Sequence, residues 1–173
     1  MYQRNRGFLR AADPTRSTVS AEQRRWGTLP VVLTGTFVVI LDFFIVNVAI
    51  PSMQHELHAR TGLMQFVVAG YGLAFAVGLI TGGRLGDLYG RRRLFGIGLG
   101  VFTLASAACG LVSNGEWLVV ARVVQGIGAS LLAPQVLAIL GIAYPGRDRP
   151  RAFAAYGMTL GLGSASGQLI GGC

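Results

Sequence analysis

Long apolar runs separated by short polar stretches fill the chain after residue 28. A helix rises about 1.5 Å per residue, so about 20 apolar residues cross a hydrocarbon core of about 30 Å. The pattern predicts an all-α membrane protein with a bundle of about five transmembrane helices. We expect a break in the fourth helix near Pro134. The five runs lie at about residues 29–50, 63–81, 94–112, 117–144 and 152–172.

The first 28 residues differ from the rest of the chain. They are rich in Arg, Ser, Thr and Gln and have no apolar period, so we expect a flexible cytoplasmic tail. The run that follows is longer than the core of a signal peptide, contains Asp42 and Asn47, and precedes four further runs. We therefore interpret it as a transmembrane span and not as a cleaved leader.

Composition and charge support this interpretation. The chain is 52% hydrophobic and 13% charged, and Arg carries all fifteen of its basic charges. Six arginines precede the first run, four lie between the second and third runs, and three lie between the fourth and fifth. This alternation follows the positive-inside rule and predicts a multi-pass protein of the cell membrane with a cytoplasmic N-terminus. It is not the charge distribution of a nucleic-acid-binding protein.

Small residues recur every four positions in two of the runs. Such rows line one side of a helix and allow neighbouring backbones to approach closely in lipid. The spans are therefore expected to pack against one another. The rows consist of Gly70, Ala74, Gly78 and Gly82 in the second run, and of Gly163, Gly167 and Gly171 in the fifth.

Two ionisable residues lie inside apolar runs, where charge is costly and usually functional. Asp42 is in the first run and Arg122 in the fourth, at depths from which the two side chains can meet. In one interpretation they form a static ion pair between two helices. In the other, Asp42 takes up and releases a proton while Arg122 holds it ionised in one conformation only. The sequence alone leaves both interpretations open.

Other chemistry has little support in the sequence. Cys109 and Cys173 lie in apolar stretches and have no metal-ligand spacing, and no catalytic nucleophile is evident. We expect no cofactor, no metal site and no enzymatic activity.

The loop at residues 83–93 combines glycines with Asp87 and Arg91 at i, i+4, and on physical grounds alone it is a topology anchor at the cytoplasmic surface.

Four segments resemble signatures of the major facilitator superfamily. Residues 83–95 resemble its loop signature (GxLaDrxGrkxxl), with matches at Gly83, Leu85, Asp87, Gly90, Arg91 and Arg92. Residues 118–130 resemble its fourth-helix signature (lxxxRxxqGxgaa), with matches at Leu118, Arg122, Gln125, Gly126, Gly128 and Ala129. The first run is similar to the motif of fourteen-helix drug:proton antiporters (lDxTivNvAlP), with matches at Leu41, Asp42, Ile45, Val46, Asn47, Ala49 and Pro51. Residues 163–172 resemble the antiporter signature (gxxxGPxxGG), although Gln168 replaces its proline.

The resemblance implies part of the N-terminal half of a major facilitator fold that works by alternating access. It implies roles in proton coupling and the cavity for Asp42, Arg122, Asn47 and Gln125. It implies a cytoplasmic gate that contains Gly83, Asp87, Gly90, Arg91 and Arg92. It implies helix packing by Gly126, Gly163, Gly167, Gly171 and Gly172.

Five spans are fewer than the twelve or fourteen of a complete member, so we expect residues 29–173 to be an incomplete transporter domain. The favoured function is the N-terminal part of a proton-coupled exporter of small hydrophobic or cationic compounds. Its expected partners are membrane lipid, protons, a small-molecule substrate and the missing C-terminal helices, with no nucleic acid. The alternatives are a truncated, non-transporting membrane fragment and a superfamily transporter with another substrate or without proton antiport.

Overall fold

A computed structural model describes residues 14–56, 61–112 and 114–171, with side chains described for residues 27–49, 62–112 and 114–171. The described residues form five α-helices, joined by short connections and without strands, so the predicted all-α fold is confirmed. The helices are α1 (Pro14–Glu56), α2 (Thr61–Tyr89), α3 (Arg91–Leu111), α4 (Gly115–Ala143) and α5 (Asp148–Gly171).

The first helix is longer than the predicted span. It begins at Pro14, inside the stretch expected to be a flexible tail, and it continues to Glu56, past Pro51. An apolar run marks only the part of a helix that hydrocarbon requires, and proline is tolerated in a first helical turn. Residues 1–13 lie outside the described part of the chain, so for them the flexible tail stays a prediction.

Four helices of the described chain are long and apolar enough to cross a membrane, which supports a multi-pass membrane protein. The fifth helix is outside this group because it begins with charged residues and is rich in glycine and serine. Its passage through a membrane stays a prediction. The four spans are Gly27–Ala49, Gly62–Tyr89, Arg91–Leu111 and Gly115–Ala143.

The predicted break in the fourth helix is wrong. The helix continues from Gly115 to Ala143 with Pro134 inside it. Proline removes one backbone hydrogen bond, to the carbonyl four residues earlier. The carbonyl of Ser130 lies close to the backbone of α2 at Gly82. We infer that packing on both sides of α4 maintains the helix across this position.

The helices form two groups. In one group α4 packs between α2 and α3, and in the other α1 packs along α5. The backbone of α1 approaches the first group at fewer places, but Val32 and Val39 of α1 belong to the same buried hydrophobic cluster as Tyr71, Phe95 and Leu132.

Close contacts also fix the directions of the helices. Gly70 lies near Val123 and Gly86 near Gln135, so α2 and α4 run parallel. By the same reasoning α1 runs parallel to α3, since Gly35 faces Phe95 and Asp42 accepts a hydrogen bond from Ser106. It also runs parallel to α5, because successive glycines of α5 contact successive residues of α1. The N-termini of α1, α3 and α5 therefore share one end with the C-termini of α2 and α4. The arginines at residues 84–93 and 147–151 lie at that end.

Candidate functional site

A buried ion pair connects the two helix groups. Arg122 on α4 donates a hydrogen bond from Nη1 to Oδ2 of Asp42 on α1 at 2.9 Å. The side chain of Arg122 is 1% exposed and that of Asp42 is 15% exposed. Ser106 on α3 donates a hydrogen bond to Oδ1 of the same carboxylate at 3.1 Å. Three helices thus meet at one carboxylate.

The arginine has further neighbours. Its Nη1 also donates to Oε1 of Gln125 at 2.6 Å, one helical turn along α4. Its guanidinium carbon lies 4.5 Å from the ring centroid of Tyr71 on α2, within the range of a cation–π contact. Gln125 is completely buried, and its Oε1 lies 3.8 Å from the thiol sulfur of Cys109 on α3. The pair is therefore embedded in side chains from all four apolar helices.

Not every donor at this site is satisfied. Among the described residues, Arg122 Nε and Gln125 Nε2 are buried without a hydrogen-bond partner. An unpaired buried donor costs about 1–3 kcal/mol. This cost lowers the net stability that the site contributes in the conformation described.

An apolar cavity of about 360 Å³ lies between α1, α2, α4 and α5, next to this pair. Four aromatic side chains line it: Phe43, Tyr71, Phe75 and Tyr156. None of its lining residues carries a charge in the described part of the chain. Tyr71 belongs both to the wall of the cavity and to the contact with Arg122, and it therefore links the cavity to the ion pair.

The loop between α2 and α3 has the geometry of a tight turn held by a surface ion pair. Gly90 separates the helices with φ 94°, a backbone conformation that favours glycine. Arg91 donates to Oδ1 of Asp87 from Nη2 at 2.7 Å and from Nε at 3.2 Å. Asp87 is 63% exposed and Arg91 is 33% exposed, so water screens the pair and it contributes about 1 kcal/mol or less. Its stabilising effect is therefore small in the conformation described.

A buried amide that sequence reasoning missed lies beside this loop. Gln135 on α4 is 1% exposed and donates from Nε2 to the carbonyl oxygen of Gly82 at 2.7 Å. It contacts α2 again at Gly86. One side chain thus holds the last turns of α2, which carry Gly83 and Asp87, against α4.

These features can be compared with known proteins. The sequence pattern of the Major Facilitator Superfamily matches residues 32–173, which is most of the chain. The chain belongs to this superfamily.

Curated relatives in the superfamily include proteins named as transporters or resistance proteins. The probable actinorhodin transporter of Streptomyces coelicolor is 40% identical over 86% of this chain and 26% of its own length. The puromycin resistance protein of Streptomyces alboniger is 41% identical over 87% of this chain and 30% of its own length. The multidrug resistance protein Stp of Mycobacterium tuberculosis is 39% identical over 80% and 26%, respectively. The chain spans about a quarter to a third of the length of these relatives.

The structure separates the superfamily motif residues into those at the ion pair and those elsewhere. Asn47 donates from Nδ2 to the carbonyl oxygen of Phe43 at 2.6 Å, so its amide bonds its own helix. Gly126 lies against the backbone of α2, where an added Cβ would be 2.5 Å from the carbonyl oxygen of Tyr71. Gln168 is exposed, and Gly172 lies outside the described residues.

The glycines of the antiporter signature lie against α1. An added Cβ at Gly163 would be 3.0 Å from Ile40, and one at Gly171 would be 3.0 Å from Val48. At Gly167 it would be 2.7 Å from Cβ of Phe44, which is closer than real Cβ atoms approach. This row allows α1 and α5 to pack at backbone distance.

Sequence reasoning missed several residues at this site. Ser106, Tyr71 and Cys109 are the kinds of residue that occur in any apolar helix, and only the fold brings them to Asp42 and Arg122. Their only signal was position, because each lies in a predicted span at a depth near that of the ion pair. Groups of three or more His, Cys, Asp or Glu side chains that could hold a metal ion do not occur among the described residues.

Proposed function

We propose that this chain is the N-terminal part of a proton-coupled efflux transporter that exports small hydrophobic or cationic compounds by alternating access. The observation that supports this most directly is the ion pair of Asp42 and Arg122, in which a carboxylate of one apolar helix meets a buried guanidinium of another. The relatives that are named as resistance proteins favour export over uptake.

The geometry suggests how a proton would be coupled to movement. As a carboxylate, Asp42 attracts Arg122 at 2.9 Å in surroundings of low polarity, where Coulomb attraction is strong. When Asp42 accepts a proton from the outer side, the neutral acid loses most of this attraction. The α1–α5 group is then free to move relative to α4. Release of the proton to the inner side restores the pair, so one proton crosses from the outer to the inner side in each cycle.

Other elements fit this proposal. The pair of Asp87 and Arg91 would latch the cytoplasmic gate in one conformation, as the loop signature implies. The arginines collected at one end of the bundle favour a cytoplasmic position for that end and for the N-terminus of the chain. The membrane would be the cell membrane.

The experiment uses the protein expressed from its complete reading frame, in inside-out membrane vesicles acidified by respiration. Acridine fluorescence reports the internal pH after addition of a neutral aromatic probe (phenanthridine) or a cationic one (ethidium). Proton antiport predicts recovery of fluorescence when a probe enters in exchange for protons. Asp42→Asn should abolish the recovery, because an amide cannot carry the proton.

Two controls accompany this variant. Glu116→Gln removes an exposed carboxylate at the start of α4, away from the pair, and should leave the recovery unchanged. Because Asn at position 42 leaves Arg122 buried without its counter-ion, at a cost of about 3–5 kcal/mol, the double variant Asp42→Asn/Arg122→Gln is measured as well. Normal recovery in Asp42→Asn at equal membrane levels would exclude Asp42 as the coupling carboxylate. Probe transport without recovery would favour a transporter without proton antiport.

A further inference from the structure

The cavity between α1, α2, α4 and α5 has features that discriminate among chemical classes of ligand. Its walls are apolar and aromatic, and its volume of about 360 Å³ is suited to a small ring system. Thr36, one of its few polar lining residues, donates a hydrogen bond from its hydroxyl to the carbonyl oxygen of Val32 at 3.0 Å. That hydroxyl hydrogen is therefore already used within α1.

The aromatic rings are arranged for stacking. Tyr71 and Phe75 are one helical turn apart on α2, and their rings are parallel within 2° at a centroid distance of 6.3 Å. Phe43 of α1 lies 5.8 Å from Tyr71 and is inclined to it by 43°. All three residues line the cavity, so a further ring inside it can make offset-stacked or edge-to-face contacts with them.

Charge at the cavity disfavours a cation. Aromatic cavities can bind cations through their ring faces, but here one face of Tyr71 is already in contact with Arg122, at 4.5 Å. Asp42 balances the charge of that guanidinium, and the uncharged lining of the cavity offers no counter-ion to offset the cost of removing a cation from water. The nearest carboxylate, Asp42, is already paired with Arg122.

We propose that this cavity binds neutral, planar aromatic compounds and selects against cations, with Phe43, Tyr71 and Phe75 as the stacking residues. This inference rests on the proposed function, because it specifies what the exporter carries. It narrows the class of hydrophobic or cationic compounds to neutral aromatic ones. Protonation of Asp42 would leave Arg122 unpaired beside Tyr71, which strengthens the discrimination against cations without affecting a neutral ring.

The test is equilibrium binding to the protein in lipid nanodiscs, expressed from its complete reading frame, with no proton gradient present. Phenanthridine, uncharged at neutral pH, is compared with N-methylphenanthridinium, which has nearly the same shape and a fixed positive charge. Binding to empty nanodiscs is subtracted. We expect phenanthridine to bind at least about tenfold more tightly than the cation, a difference of about 1.4 kcal/mol.

Variants locate the site. Phe43→Leu and Phe75→Leu keep apolar volume but remove a ring, and each should weaken phenanthridine binding about fivefold, about 1 kcal/mol. Phe66→Leu is the matched control, because Phe66 lies on α2, is 65% exposed and is outside the cavity. It should leave the affinity unchanged. Thermal unfolding of each variant confirms that it is folded.

The outcomes separate this inference from the proposed function. Equal or tighter binding of the cation, or unchanged phenanthridine affinity in both ring variants, would overturn the inference even if proton exchange is observed in vesicles. Selective binding of phenanthridine with no proton exchange would overturn antiport and leave the inference intact.

Discussion

Replacement of Gly167 by alanine tests the close packing of α1 and α5 directly. The new Cβ would be 2.7 Å from Cβ of Phe44 and 2.9 Å from the carbonyl oxygen of Leu41. Neither atom can rotate away, because one is fixed to the backbone and the other belongs to it. The two helices must therefore separate or shift along their axes to admit the methyl group.

Two effects set the size of the change. Insertion of a methyl group into a tightly packed contact costs about 1–3 kcal/mol. Exchange of glycine for alanine within a helix recovers about 0.5–1 kcal/mol. We therefore expect Gly167→Ala to lower the free energy of unfolding by about 1–2 kcal/mol. At Gly161, on the same helix, an added Cβ meets no atom within 4 Å, so Gly161→Ala should be neutral or slightly stabilising.

Titration with sodium dodecyl sulfate, followed by circular dichroism, measures the difference between the two alanine variants. A third protein, Gly167→Ala with Phe44→Ala, refines the test. Truncation of Phe44 leaves its Cβ in place, so it should not rescue the stability of Gly167→Ala. Equal stability of the Gly167→Ala and Gly161→Ala variants would refute the argument that backbone contact between α1 and α5 determines the cost.

Two further predictions concern the end of α2. Gln135→Leu should lower the free energy of unfolding by about 1–3 kcal/mol, because it removes a buried hydrogen bond to Gly82. Gln168→Leu, at an exposed position, is its control and should change that free energy little in the same titration with sodium dodecyl sulfate. Gly90→Ala should lower the free energy of unfolding by about 1–3 kcal/mol, because φ is 94° at this position. Gly96→Ala, in open space on α3, is its control. Equal thermal stability of these two alanine variants would contradict the assigned turn.

The sequence predicted the helices well because an apolar run of 20 residues has few alternatives in a membrane. The superfamily motifs, with matches in all four apolar helices and in α5, indicated the same membership that the comparison shows. Helix ends were less predictable. Pro134 does not break α4, and α1 extends beyond its apolar run at both ends, since tertiary packing and polar flanks decide these features.

The candidate site was only partly predictable. Asp42 and Arg122 stood out because charge is rare in apolar helices, and an estimate of depth showed that they can meet. The contacts of Ser106 and Tyr71 with this pair depend on how α2 and α3 are rotated about their axes. The glycine row of α2 marks the side of that helix that packs on α4, but it does not identify the other side chains that reach the ion pair.

The sequence by itself determined that this protein is helical, lies in a membrane and carries a carboxylate and a guanidinium inside its apolar spans. The tertiary structure decided which sides of the helices meet. Val67 is completely buried whereas Leu73, on the same helix, is 68% exposed, although both are equally at home in hydrocarbon. Because lipid is as apolar as a protein core, the hydrophobic pattern of a membrane helix does not distinguish its packed face from its lipid face. Close contacts at glycines and the few buried polar groups make that distinction. Their positions can be read in the sequence, but their partners appear only when the helices are assembled.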